Sequence, residues 1–390
     1  MLQAMSPRVL PTVLTAALIG GILAAAPASA TESHQRPIRL LGEKIVPNAL
    51  QFQGTTVGGL SSIDYDPRTG GYALICDDRS AINPARFYTA TFPVSANGVG
   101  PVTLTGTKPL LRPDGTPYPP LTQNDPAKPQ NEQTIDPEEL RVDPWTGGYY
   151  WSQEGERTAT TLIDPSIREA RRDGEYVRDL PIPANEKMTP AAGPRQNLAL
   201  EGLTFAGFGS LIASELEGPL LQDGSMPTTT AGALSRITLQ SRFGPVFAQY
   251  AYPQEPIFAS PVPAGAFATT GVSSMLAVDQ ADPTKFLMME RSFVTGVGNK
   301  VRVYEIDTKG ATNVLNVKSL SDAKHVKPVK KRLLFDAADL GLSTVDNLEG
   351  MTWGPKLPNG ERSLIIVSDD NFSATQVTQF AALAVPSERL

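Results

Sequence analysis

Hydrophobic and polar residues alternate along this chain in short runs, and the runs recur in a fixed order. Asn347-Leu348-Glu349-Gly350-Met351-Thr352 is followed, after a short loop, by Leu364-Ile365-Ile366-Val367-Ser368-Asp369-Asp370-Asn371. This reads as two strands with an acidic cluster where the second one ends. The same order appears four more times upstream. Leu200-Glu201-Gly202-Leu203-Thr204 precedes Leu211-Ile212-Ala213-Ser214-Glu215, and Pro137-Glu138-Glu139-Leu140-Arg141 precedes Tyr150-Trp151-Ser152-Gln153-Glu154. Gly59-Leu60-Ser61-Ser62-Ile63 precedes Leu74-Ile75-Cys76-Asp77-Asp78, and Ser274-Met275-Leu276-Ala277-Val278 precedes Phe286-Leu287-Met288-Met289-Glu290-Arg291. Five copies of one supersecondary unit imply a repeat architecture.

Each unit goes on to further strands, marked by β-branched and aromatic enrichment between turn residues. The first predicts strands over 61–66, 72–76, 87–92 and 102–105, and the second over 139–142, 149–152, 160–163 and 176–180. The third predicts 202–205, 211–214, 234–239 and 246–250, and the fourth 274–278, 286–289, 301–306 and 314–317. The fifth, 350–353, 364–368 and 377–384, stops one strand short. An orphan strand near 38–46 supplies the missing one, which would close a ring with both chain ends in one sheet. Steps between Asp77, Glu154, Glu215, Glu290 and Asp369 are 77, 61, 75 and 79 residues, and the stretch from Asp369 through the C-terminus and on from Thr31 to Asp77 is of similar length. An all-β propeller of five four-stranded blades follows, with six blades as the alternative. Two polar excursions, 110–133 and 183–195, read as connectors, or as a lid over a site.

Composition changes this picture at one end. Within residues 1–30 Arg8 is the only charge, an apolar run covers 9–26, and Ala28-Ser29-Ala30 fits a cleavage site, so a secretory signal peptide is expected, with residues 31–390 forming a single exported propeller domain. That implies a secreted, periplasmic or cell-envelope protein without a membrane span. Removing Arg8 with the leader leaves 33 basic against 40 acidic residues, a formal charge of −7, which argues against nucleic acid. Cys76 is the single cysteine, so no internal disulfide holds the fold.

The chemistry follows from where the acids fall. In a propeller, loops entering the innermost strand lie on the same face as loops leaving the second strand. Glu138, Glu201 and Glu349 sit where first strands begin; Asp77, Asp78, Glu154, Glu215, Glu217, Glu290, Asp369 and Asp370 sit where second strands end. All should crowd one rim of the channel. Like charges so close raise one another's pKa or require a cation, and hard oxygen ligands suit Ca²⁺. Asp77, Asp78, Glu215, Glu290, Asp369 and Asp370 are the candidate ligands; turn-capping is the alternative for any one of them. Arg79, Arg86, Arg157 and Arg291 lie beside the acids, and Lys331 and Arg332 end a basic run from Lys324. Arg86, Lys331 and Arg332 are candidates to hold an anionic substrate, against a plainer reading as salt-bridge partners and, for the Lys run, a solvated loop. Only His34 and His325 exist, so a Ser-His-Asp triad is disfavoured, and no zinc spacing, phosphate-binding glycine loop or nucleophile elbow appears.

Asp346-Asn347-Leu348-Glu349-Gly350-Met351-Thr352-Trp353-Gly354-Pro355 and Ser368-Asp369-Asp370-Asn371-Phe372 resemble the C-terminal signature of the exported phytase-like family described as having esterase-like activity. Leu200-Glu201-Gly202-Leu203, the stretch from Glu215 to Asp223, Met288-Met289-Glu290-Arg291-Ser292-Phe293 and Asp77-Asp78-Arg79-Ser80 resemble further blocks of that family, over nearly all of 50–385. Pro137-Glu138-Glu139-Leu140 departs from the usual Glu-Gly pair, and Cys76 stands where Ser is common. The resemblance implies a β-propeller that hydrolyses phosphate or other esters.

The expectation is therefore a Ca²⁺-dependent phosphoesterase acting on a small-molecule ester, with Glu201 or Glu349 as general base and Arg79 or Arg291 facing the developing charge. The alternatives are a non-catalytic ligand- or envelope-binding propeller with structural Ca²⁺, and a carboxylesterase using Ser214 or Ser368.

Overall fold

The computed structural model describes residues 36–390. The expected leader, its cleavage point and His34 lie outside the described residues. Five four-stranded antiparallel sheets make up the fold, accompanied only by two-stranded ribbons and short 3₁₀ turns. Blade 1 runs from the innermost strand outward as Ser62–Asp66, Gly71–Cys76, Arg86–Thr91 and Thr103–Pro109. Blade 2 is Pro137–Val142, Tyr149–Gln153, Ser166–Ala170 and Tyr176–Leu180, and blade 3 is Leu200–Ala206, Leu211–Leu216, Leu234–Ser241 and Val246–Pro253. Blade 4 is Ala268–Asp279, Asp282–Val294, Gly298–Asp307 and Lys330–Asp336. Blade 5 is Leu348–Trp353, Arg362–Ser368 and Thr378–Val385, completed by Arg39–Val46, which pairs antiparallel with Thr378–Val385. The ring is thus closed by the N-terminal strand, and no blade is left with three strands.

Period-2 alternation explains why the second strands read as continuous apolar runs. Leu364 and Ile366 pack against blade 4, whereas Ile365 and Val367 pack against blade 1. Each blade is buried on both faces in this way, and five apolar clusters, one between every pair of neighbours, form the core.

Two strands differ from expectation. The outer strand of blade 4 is Lys330–Asp336, not 314–317. Val314 instead covers the edge of blade 3: its N–H donates to Gln249 O at 2.8 Å, and the Arg236 guanidinium donates to the carbonyls of Val314 and Val317. In blade 2 the third strand is Ser166–Ala170, because Leu162–Ile163 pairs with Glu156–Arg157 in a separate ribbon.

The channel is closed by one side chain. Arg141, on the innermost strand of blade 2, is 2% exposed and donates to Leu203 O (2.7 Å), Ile63 O (3.2 Å), Met351 O (2.9 Å) and Met275 O (2.9 Å). Those carbonyls belong to the innermost strands of blades 3, 1, 5 and 4. Glu139 at 3.1 Å and Asp64 at 3.3 Å balance its charge.

Candidate functional site

Above this plug the channel opens into a cavity of about 930 Å³, lined from all five blades. The strand pairing defines one equivalent position per blade, directly after the second strand has paired with the entry of the first. Asp77 N–H donates to Gly59 O, Glu154 to Asp136 O, Glu217 to Ala199 O and Asp369 to Asn347 O, while Arg291 pairs with Gly271. Four acids and one arginine occupy the five positions. Glycine is required beneath two of them: a Cβ on Gly59, itself at φ 58°, would lie 2.1 Å from Asp77 Oδ1, and one on Gly271 would lie 2.4 Å from Glu217 Cγ.

A second ring comes from the strand entries. The ladder slips between Pro137 and Leu140, between Leu200 and Leu203, and between Leu348 and Gly350. These are the places of Glu138, Glu201 and Glu349, all of which line the cavity. A bulge re-aims the side chain it carries. Blades 4 and 1 slip at the same place but carry Ser273 and Ser61 there: in blade 1 Ser62 pairs with Ile75, whereas Asp77 N–H reaches back to Gly59 O.

Asp77, Asp136, Glu138, Glu201, Glu217, Asp346, Glu349 and Asp369 line the cavity together with two cations, Arg79 and Arg291. Arg79 is ion-paired to Asp136 and, at 3.1 Å, to Glu156; Arg291 lies 3.2 Å from Glu217 and 3.3 Å from Glu349. Burial, reinforced by neighbouring carboxylates, pushes Asp77, Glu138, Glu154, Glu201 and Asp369 well above the ordinary range. Burial also raises Asp136 to about 6 and Glu217 to about 7, with Arg79 and Arg291 respectively holding them down. Glu349 is raised by burial against the pull of Arg291. Acids crowded in this way must either take up protons or share cations.

The donor set fits a hard cation. Oxygens of Asp136, Glu138 and Glu154 lie within 4.8 Å of one another, as do those of Glu154, Glu201 and Glu217. Glu154 belongs to both triads. One of its oxygens accepts from Ala199 N–H, and the other, Oε2, is buried without a protein partner. All these donors are carboxylates, the ligand type of Ca²⁺ rather than of a thiophilic metal.

Of the residues expected from sequence, the structure brings Glu201, Glu349, Arg79, Arg291, Asp77 and Asp369 together in the cavity. It places the others elsewhere. Asp78 turns away from the channel, where it caps the N–H groups of Ala81, Ile82 and Asn83 and pairs with Arg86 at 2.7 Å. Arg86 is itself buried and bonds Tyr88 Oη and Thr56 O, so it has no path to a substrate. Asp370 accepts from Gly59 N–H, Phe372 N–H and Asn48. Glu215 lies below the cavity and accepts from Gly202 N–H at 3.1 Å. Glu290 faces the other side of its strand, bonded to Tyr252 Oη at 2.7 Å and Lys331 Nζ at 2.5 Å. Lys331 is enclosed by Glu290, Glu255 and the rings of Tyr252 and Tyr304, and Arg332, on the outer strand of blade 4, pairs with Glu305 on the strand beside it. Ser214 and Ser368 are buried outside the cavity, Ser368 Oγ donating to Val377 O, and His325 is on an exposed outer loop. No residue of 110–133 or 183–195 lines the cavity. Asp136 was not distinguished in the sequence: it stands one residue before a strand whose two glutamates draw attention, and only pairing with Glu154 marks it.

Solved structures similar to the chain include an endo-arabinase from Bacteroides thetaiotaomicron (TM-score 0.43, 11% identity, 88% of this chain and 98% of that one). An exo-β-1,3-galactanase from Phanerochaete chrysosporium (0.41, 8%, 88% and 64%) and a gluconolactonase from Xanthomonas campestris (0.31, 10%, 90% and 98%) are also similar. Likeness this distant carries no argument about chemistry. No curated protein matches the chain. The family model described as "Phytase-like: Esterase-like activity of phytase" matches residues 55–372, a span that takes in four blades, the two inner strands of blade 5 and every acid of the cavity, and the chain belongs to that family.

Proposed function

We propose that this protein is a hydrolase of phosphate esters that works with Ca²⁺ held by the carboxylates of the channel mouth. The observation that carries the reading is the convergence of eight carboxylates from the described residues on one cavity with only two arginines to offset them. Glu154, Glu201 and Glu217, with Asp136 and Glu138, would hold the cation. When bound, it would neutralise the anionic ester and make water more acidic. The chain's own groups supply the rest. Glu217 and Glu349 brace Arg291 from two sides, which fixes a positive charge at the cavity wall for the phosphoryl oxygens. Glu349, which burial raises against the pull of Arg291, takes the proton of the attacking water. The P–O bond to the alcohol then breaks, and Glu349 passes the proton it took from water to the leaving oxygen. The leader-like residues 1–30 support an exported protein, where free Ca²⁺ is plentiful.

The test is hydrolysis of a simple phosphate monoester by the purified protein with Ca²⁺, with a chelator, and after Ca²⁺ is restored, alongside calcium titration calorimetry. Glu154→Gln and Glu201→Gln should each weaken Ca²⁺ binding and turnover, with the double variant resembling the worse single one. Hydrolysis that a chelator leaves unchanged would refute the reading. Ca²⁺ binding that raises thermal stability without turnover of any ester would replace it with a ligand-binding propeller.

A further inference from the structure

The cavity is two-sided. Its blade 5 and blade 1 side is polar, presenting Asn347, Asn371, Gln376 and Asp77. Its blade 3 and blade 4 side adds to Glu201, Glu217 and Arg291 the apolar residues Leu198, Met226, Pro227, Ile257, Phe267 and Phe293. A metal site for a small anion needs no such wall. Phe267 is 66% exposed, and Val262 and Val297, 64% and 50% exposed, flank it. The segment is pinned by backbone bonds from Val262 N–H to Thr295 O (2.9 Å) and from Thr295 N–H to Phe267 O (3.0 Å). The rings of Phe267 and Phe293 lie 6.2 Å apart at 33°, leaving an aromatic face toward the cavity. Ile257 is likewise fixed, by its N–H to Thr228 O at 2.9 Å. A rigid, exposed apolar surface beside buried charge matches a ligand with an anionic end and an apolar end.

The charges argue in the same direction. Both arginines of the cavity are already held by two carboxylates each, and no other cation is among the described residues lining it. One phosphate group can be matched by a bound cation and Arg291.

Building on the hydrolase reading above, we propose that the substrate is a phosphate ester of an aromatic or other bulky apolar alcohol, its apolar part lying on Phe267, Phe293 and Ile257.

Benzyl phosphate, methyl phosphate and inositol hexakisphosphate, compared with Ca²⁺ present, test this, since the first two have alcohols of similar leaving ability. Binding of benzylphosphonate and methylphosphonate by calorimetry gives a readout independent of turnover. Benzyl phosphate is expected to have a KM about tenfold below that of methyl phosphate, with kcat within about threefold, and benzylphosphonate to bind about tenfold tighter than its methyl counterpart. Phe267→Ser should erase both ratios, Phe267→Leu should keep most of them, and neither should move the melting temperature, since Phe267 is exposed. Equal KM values, a preference for the hexakisphosphate, or ratios untouched by Phe267→Ser, with Ca²⁺-dependent hydrolysis of benzyl phosphate intact, would overturn the substrate class while leaving the hydrolase reading standing. No turnover and no phosphonate binding would overturn both.

Discussion

Replacing Arg141 should loosen all five blades at once. Its guanidinium donates to four carbonyls on four other blades and offsets Glu139 and Asp64, in a channel where it is 2% exposed. Hydrogen bonds to a charged group are worth about 1.5–3 kcal/mol each, so four of them set an upper bound of roughly 6–12 kcal/mol. Water entering the vacated channel would re-satisfy part of the carbonyls, and the desolvation of Arg141 itself would be recovered. A net loss of about 4–5 kcal/mol for Arg141→Met is therefore expected, the range found when one partner of a buried charged set is removed. At about 2.1 cal/mol/K of unfolding entropy per residue, roughly 355 residues give about 0.75 kcal/mol/K, so the melting temperature should fall by about 6 °C. Arg141→Lys, with three donors and no planar fork, should fall between. A pH signature comes with it. Burial already raises Glu139 to about 7 while Arg141 holds it down; without the guanidinium it rises further. A carboxyl whose folded pKa is raised contributes stability that is complete below its unfolded pKa and is lost as pH rises through the folded one. The deficit of Arg141→Met should therefore be smaller at pH 5 than at pH 8. Calorimetric melts of wild type and both variants at the two pH values measure this. A shift under about 1 °C at pH 8, or the same deficit at both pH values, would refute the idea that this side chain binds the ring together.

Glu186 offers a separate pH test away from the cavity: burial raises it to about 7, with Thr238 Oγ1 and Gln249 Nε2 donating to it at 2.5 and 2.7 Å. Its contribution should be intact below about pH 4.5 and decline by about 3 kcal/mol as pH approaches 7, so the stability of Glu186→Gln relative to wild type should rise by that amount between pH 4.5 and 8; a constant difference in denaturant midpoints would contradict it. The adjacent acids Asp77 and Asp78 should separate cleanly. Asp78→Asn, which disturbs a buried cap and the pair with Arg86, should lower the melting temperature and leave Ca²⁺ affinity within about threefold. Asp77→Asn should weaken Ca²⁺ binding, and in chelator it should be as stable as wild type or more so, because burial and Asp369, Glu349, Asp136 and Asp78 all disfavour its charge. The same pattern in both variants, read by calorimetry and melting, would mean that the two acids are not divided between site and scaffold.

The recurrence of short apolar runs with polar punctuation was enough to determine a ring of five blades, because a sheet buried on both faces needs that pattern and a fifth unit lacking a strand needs the N-terminal one. The placing of acids at strand entries and exits was equally enough to put Glu138, Glu201 and Glu349 at one rim. Composition could not decide which of two neighbouring acids faces the channel. Successive residues on a strand point to opposite sides, and Asp77 and Asp369 face the cavity while Asp78 and Asp370 cap turns. Nor could spacing decide the register. Counting from sequence placed Glu215 and Glu290 beside Asp77, Glu154 and Asp369, whereas backbone pairing puts Glu217 and Arg291 there. The slip is two residues in blade 3, which keeps Glu215 on the channel side but sinks it below the cavity, and one residue in blade 4, which turns Glu290 into the blade against Tyr252. That single-residue slip also brings an arginine into a ring of acids, between Glu217 and Glu349. Register is a property of which hydrogen bonds form between strands, and so only the assembled sheet could reveal the one cation of that ring.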